Sequence, residues 1–444
     1  MSTSPPRTAL RDPVPTPAWE PPGTPGPAKS TLRSALELLA AVAVLVALAL
    51  AAGQGDLLLV IVCLVVIVMV HELGHYLAAK HGRMKVTEYF LGFGPRLWSF
   101  RRGETEYGIK ALPLGGYVKI PGMTNLEEVD PADEARTYRE QPFHARLLVA
   151  VAGSAMHFLM AFVLLWALLT FIGLPNADQV EIQGLSQVGN RPGPAQVAGV
   201  RTGDIVVSLD GRPVRGNSDA LISAIHDHPG RPVTLVVDRD GTTHTLVVTP
   251  ADGRTTHEQG VTVPRGTAPF GLIGVSFGSP VQPVGPLRAV ASSGAEFVHI
   301  AWASMVGVAH VFSPAGVAQR FDQVASAKAA SQATTDNTRV QSIVGVVQTA
   351  RDAAQNGIAS LLSILIVINV FFGIINLFPM LPLDGGHVAI AVYEKIRTGR
   401  RAVRYRADVA RLMPVTWAFM LFLFVVISTA LLNDIIHPAP NPFG

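Results

Sequence analysis

Along the 444-residue chain, apolar residues gather in long runs separated by basic, polar or alternating stretches. Five runs, at residues 35–52, 57–79, 147–172, 358–378 and 412–432, are close to the roughly 20 residues a helix needs to cross a bilayer. Between residues 83 and 122 the pattern changes to alternation between Gly/Pro turns, which predicts short β-strands. Residues 178–250 predict a small α+β unit. In it a short helix after Gly193-Pro194 leads through Gly203-Asp204 into a strand and a tight turn at Asp210-Gly211. A helix over 218–228 and strands at 232–238 and 243–249 follow. The apolar segment 287–312 is ambiguous, because it is long enough to span yet carries Arg288, Glu296, His299 and His310. It reads as a helix outside the membrane, lying against the bilayer surface.

Basic residues orient the spans. The 80–146 loop holds Lys80, Arg83, Lys85, Arg96, Arg101, Arg102 and Lys110. The 395–411 loop holds Lys395, Arg397, Arg400, Arg401, Arg404, Arg406 and Arg411. The positive-inside rule puts both loops in the cytoplasm, the amino terminus inside, the carboxyl terminus outside and the 174–357 segment outside. Residues 1–32, rich in Pro, Ser and Thr, read as a disordered cytoplasmic tail. Small residues near Ala51-Ala52 resemble a signal cleavage site, but the preceding run is longer than a signal peptide needs, so 33–53 reads as an additional N-terminal transmembrane helix.

Composition agrees with several spans: 49% of residues are hydrophobic and only 15% charged. A net charge of +3 lends no support to nucleic-acid binding. Cys63 is the single cysteine, which excludes an intramolecular disulfide and a cysteine-based metal site.

The second run contains His71-Glu72-Leu73-Gly74-His75. On a helix His71 and His75, at i and i+4, share one face and suit a single zinc ion, with Glu72 placed to take a proton from water at that ion. Ionisable residues inside a span cost about 2.5–3.5 kcal/mol each at its centre, so three of them need a reason. The bland alternative is a pair of packed histidines between helices. A third protein ligand is required, and the best candidate is Asp384, in the segment Asn376 to His387 at the end of the fourth run. Pro379 and Pro382 remove backbone donors and Gly385-Gly386 permit unusual dihedrals, which predicts an unwound stretch there. His387 reads as an interfacial histidine or a group behind the ligands.

The HELGH helix paired with N-x-x-P-x-x-P-L-D-G-G resembles the site-2 protease family, bacterial intramembrane zinc metalloproteases, and looks closest to the PDZ-containing branch that cleaves anti-sigma factors. The resemblance covers roughly residues 57–432. It implies a polytopic α-helical membrane protein with a reentrant β-loop, 83–122, and an extracytoplasmic α+β PDZ domain, 178–250. The peptidase core would comprise 57–172 and 358–432, and 251–357 an extracytoplasmic linker and helical region. It implies one zinc ion per chain held by His71, His75 and Asp384, with Glu72 as the base and Asn376 contacting substrate or the developing oxyanion. Where the family has G-P-x-x-N, this chain reads Gly153-Ser154-Ala155-Met156-His157. His157 is therefore expected near the site, as a polar contact behind the ligands or a competing ligand.

The expected function is zinc-dependent endoproteolysis of single-span membrane proteins such as anti-sigma factors, in the bacterial inner membrane near its cytoplasmic face. The PDZ domain would bind a peptide or carboxyl terminus. A catalytically silent membrane scaffold or sensor is the alternative.

Overall fold

The computed structural model describes residues 31–123, 127–176, 178–188, 191–216, 218–254, 268–335, 339–399 and 405–438. The expected tail, 1–32, lies almost entirely outside the described residues, as do Arg400, Arg401 and Arg404. The principal helices in chain order are α1 (Thr31–Ala51), α2 (Gly55–His81), α3 (Phe143–Phe171), α4 (Ser218–His226) and α5 (Pro286–Val311). They continue as α6 (Pro314–Ala325), α7 (Ile343–Gln355), α8 (Ile358–Asn376), α9 (Asp384–Thr398) and α10 (Met413–Ile436). The principal strands are β1 (Glu88–Arg102), β2 (Thr105–Lys119), β3 (Val180–Leu185), β4 (Ile205–Leu209), β5 (Val233–Arg239), β6 (Thr242–Val248) and β7 (Val275–Gly278).

Each of the five apolar runs forms a helix, and among the described residues these five are long and apolar enough to cross a membrane. The chain is a polytopic membrane protein.

Two compact units divide the chain. The first, residues 1–55 and 86–119, joins α1 to the expected β-loop, whose long strands bend and fold back. Glu88–Leu91 is flanked on both sides, by Glu106–Ile109 and by Gly116–Lys119, while Arg96–Arg102 pairs with Thr105–Lys110. Its aromatic residues stack, Phe90 on Tyr117 at 5.9 Å and Phe100 on Tyr107 at 5.3 Å, and the Lys110 ammonium sits 4.8 Å from the Tyr117 ring centroid.

The second unit holds the remaining four long helices and the α+β region. Here α2, α3 and α8 pack through Val60, Ile67, Leu164, Leu361 and Leu365, with α7 adding Ala350. Small residues allow the closest approach: a Cβ on Gly74 of α2 would stand 2.6 Å from the Ala152 carbonyl oxygen of α3. The helix expected over 287–312 forms as α5, but it does not lie across the helix ends. It packs lengthwise, antiparallel to α3: the Trp166 indole N–H donates to the Pro286 carbonyl at 3.1 Å, and Phe297 meets Phe158 edge-on at 5.8 Å. At its far end Phe312 stacks on Phe378 at 4.6 Å and on Phe422 at 5.3 Å. Its charges sit on the side away from this packing, where His299 and Glu296 are exposed, so they do not oppose it.

The α+β region is an antiparallel sheet of order β6-β5-β4-β3-β7. Alternate residues Val233, Leu235 and Val237 point into its core with Val180, Ile182, Val206, Leu221 and Ile225. Both tight turns are Asp-Gly pairs with positive φ at each residue, 48° and 77° at Asp210-Gly211, 53° and 79° at Asp240-Gly241, as a type I′ hairpin turn requires. Asp204 is structural, as its position before a strand suggests: it is fully buried, takes two hydrogen bonds from Arg239 at 2.7 and 2.8 Å, and accepts the Arg201 amide at 2.8 Å. The chain leaves α3 through Leu174-Pro175 and returns to α5 through Val281-Gln282, and these two dipeptides pair with each other.

Candidate metal centre

The metal-ligand candidates come from α2 and from the turn between α8 and α9. His71 and His75 lie one turn apart in the second half of α2, and both are buried. The Pro-rich stretch breaks the helix as expected: α8 stops at Asn376, and α9 begins with Asp384 itself. The glycines that follow act differently from expectation. Gly385 and Gly386 have helical backbones and are needed for space, because a Cβ on Gly386 would stand 2.6 Å from the Leu381 nitrogen, and one on Gly385 would collide with the Leu377 carbonyl.

Three ligand atoms converge. His71 Nε2 and His75 Nε2 are 3.2 Å apart, and Asp384 Oδ2 lies 3.4 Å from the first and 3.2 Å from the second. Bonds of roughly 2.0–2.1 Å to a tetrahedral zinc place donor atoms about 3.3–3.4 Å from one another, so this triangle matches one face of such a site. His75 Nδ1 is 2.8 Å from the Val149 carbonyl, which only accepts, so Nδ1 carries a proton and Nε2 is the ring nitrogen left to face the other two donors. Two imidazole nitrogens and a carboxylate oxygen facing one another are an arrangement that a cation satisfies. Asp384 keeps 19% of its side-chain surface accessible, while its donor atom Oδ2 is buried without a hydrogen-bond partner, as a carboxylate oxygen awaiting a cation would be.

Helix α3 forms the floor. A Cβ on Gly153 would collide with His71 Cε1 and His75 Nε2, so glycine is what lets the backbone lie against both imidazoles. His157, one turn on, stands beside the three donors and is not one of them. Its ring centroid is 4.8 Å from that of His71, and its Nδ1 donates at 3.1 Å to Asn369 Oδ1. Asn369 is fully buried in α8 and gives its amide N–H to Leu365 at 2.8 Å, which assigns its oxygen to His157. Sequence reasoning passed over Asn369, although an amide in the middle of an apolar run is itself a signal: buried without partners it would cost about 1–3 kcal/mol. Asn376 lies two turns further along the same face of α8, half-buried at the helix end. Glu72 is partly exposed next to His71. His387 sits in the first turn of α9, edge-on to Tyr138 with centroids 6.1 Å apart.

Residues 59–423 match the model of Peptidase family M50. The chain belongs to this family. Among M50 relatives, the zinc metalloprotease Rip1 of Mycobacterium tuberculosis strain H37Rv is 34% identical over 401 residues, covering 84% of this chain and 95% of the relative. Rip1 of Mycolicibacterium smegmatis is 32% identical over 397 residues, again 84% and 95%. As an M50 peptidase the protein is a zinc metalloendopeptidase, and His71, His75 and Asp384 are positioned to bind the metal.

Proposed function

We propose that this M50 peptidase cleaves single-span membrane proteins within the bilayer, with His71, His75 and Asp384 as the zinc ligands. The observation that carries the reading is the convergence of those three donor atoms, two of them on α2, a helix long and apolar enough to cross a membrane, and the third just beyond the end of another, α8. When bound, zinc supplies Lewis acidity to a water molecule and to the scissile carbonyl. Glu72, beside His71, takes the proton from the water and passes it to the leaving amine. Asn376, on the α8 face that also carries Asn369, offers an amide to the substrate backbone or to the developing oxyanion.

The 83–122 β-loop, read as reentrant from the cytoplasm, would present a strand edge to an unwound substrate; a transmembrane helix hides its amides until it unwinds. Residues 178–250 read as an extracytoplasmic PDZ domain. The terminal position of β7 in the sheet supports this, as an extended peptide could add along it. The basic residues of the 80–146 and 395–411 loops favour both loops on the cytoplasmic side, with the amino terminus in and the carboxyl terminus out. Regulators such as anti-sigma factors, released by a second cut, fit this layout.

Full-length enzyme in proteoliposomes, a single-span substrate and a zinc chelator test the proposal. Cleavage inside the span, lost with chelator and regained with zinc, is the expected result. Cutting confined to soluble unfolded peptides would overturn it.

A further inference from the structure

The first turns of α3 hold contacts to both halves of the metal site. On one face, Arg146, Val149 and Gly153 follow at i, i+3 and i+7. Val149 and Gly153 touch the imidazoles on α2, as described above. Arg146 reaches the other half: its guanidinium donates at 2.6 Å to Glu394 Oε2 on α9, the helix that begins with Asp384. The two side chains are 5% and 7% exposed, and 248 positions separate them in the chain.

The pair is braced on each side. Glu394 Oε1 accepts the Ala407 amide at 2.7 Å, and Arg406 pairs with Glu140, which ties the stretch before α10 to the same corner. Tyr138 donates its hydroxyl to the Arg146 carbonyl at 3.2 Å and lies edge-on to His387, in the same helical turn as Asp384. Glu394 lies ten residues beyond Asp384 on the same helix, a rigid rod of about 15 Å. Fixing its far end to α3 limits how it slides or rotates at the near end.

We propose that the buried Arg146–Glu394 ion pair is a positioning element: it holds the carboxylate half of the zinc site in register with the imidazole half through α3. The inference rests on the zinc site assigned above. Neither side chain is among the three donors. A donor triangle with edges of 3.2–3.4 Å tolerates little displacement of Asp384, whose carboxylate is the only ligand from the distant segment.

The test is zinc affinity by chelator competition on purified full-length protein, with helical content measured alongside. Glu394→Gln and Arg146→Gln are each expected to weaken zinc binding at least tenfold while helical content holds. The exchange Arg146→Glu with Glu394→Arg is expected to restore affinity to within about threefold of the parent. Single variants that bind zinc as the parent does would overturn the inference. If the single variants do not fold, the exchange decides alone: a folded exchange protein with weak zinc binding overturns it, one near parental affinity supports it. A parent protein that binds no zinc would instead overturn the metal site.

Discussion

The ring nitrogen Nδ1 of His75 stands 2.8 Å from the carbonyl oxygen of Val149, so the backbone of one helix sets the orientation of an imidazole on another. A main-chain carbonyl presents no proton of its own, and the contact therefore selects a single tautomer of His75. Helix α3 supplies the orientation of the site without contributing one of the three converging donor atoms.

Gly153→Ala tests that role. Its methyl group would collide with both imidazoles, which must then move apart or the helices separate. The expected outcome is a folded protein that has lost most of its zinc, measured by metal analysis after purification. Full zinc content in this variant would show that the floor is softer than its packing implies.

Glu72→Gln leaves the three donors in place and removes the proton acceptor. Zinc content should stay at the parental value while cleavage falls by about 100- to 10,000-fold, the usual contribution of general acid–base catalysis. Full activity would exclude Glu72 as the base.

Asp384→Asn should lower both zinc binding and cleavage, because the amide oxygen carries no charge. His157→Asn should keep the zinc and most of the activity, since His157 bonds to Asn369 and is not one of the three donors. Loss of one zinc equivalent on changing His157 would make it a ligand.

Asp204 gives the α+β region an acid-sensitive bond. Burial alone would raise its carboxyl, but the Arg239 guanidinium and the Arg201 amide outweigh burial and hold it below the ordinary carboxylate value. The folded state therefore binds fewer protons than the unfolded one as pH drops past that value. This contribution to stability is complete above the ordinary value and is lost as pH falls through the depressed one. Protection factors of the Val180–Val248 amides, which correct for the intrinsic pH dependence of exchange, should fall as pH drops below about 4 in the parent protein. Asp204→Asn should show faster exchange already at neutral pH and a smaller acid effect.

Much of this architecture is visible in local pattern. Run length alone locates the five long helices, because a bilayer imposes that length. The i, i+4 spacing of His71 and His75 puts them on one face whatever surrounds them, and Pro379 and Pro382 announce the break that frees Asp384. What local pattern hides is distance across the fold. Arg146 and Glu394 look like ordinary charges flanking helices, and nothing nearby in sequence says that they meet. Gly385 and Gly386 suggested strained dihedrals, whereas their helical backbones make room for the turn at Leu377–Leu381. The segment 287–312 carries enough charge to read as a surface helix; its packing on α3 depends on Phe158 and Trp166, far from it in sequence.

The paired dipeptides Leu174-Pro175 and Val281-Gln282 bear on how this architecture varies. An insert whose two ends meet side by side makes no demand on the distance between the helices it interrupts. Its contents are free to lengthen, shrink or be exchanged for another fold without retuning the donor atoms beyond the clasp. Variation within that insert and maintenance of the donor geometry can therefore proceed on separate evolutionary clocks.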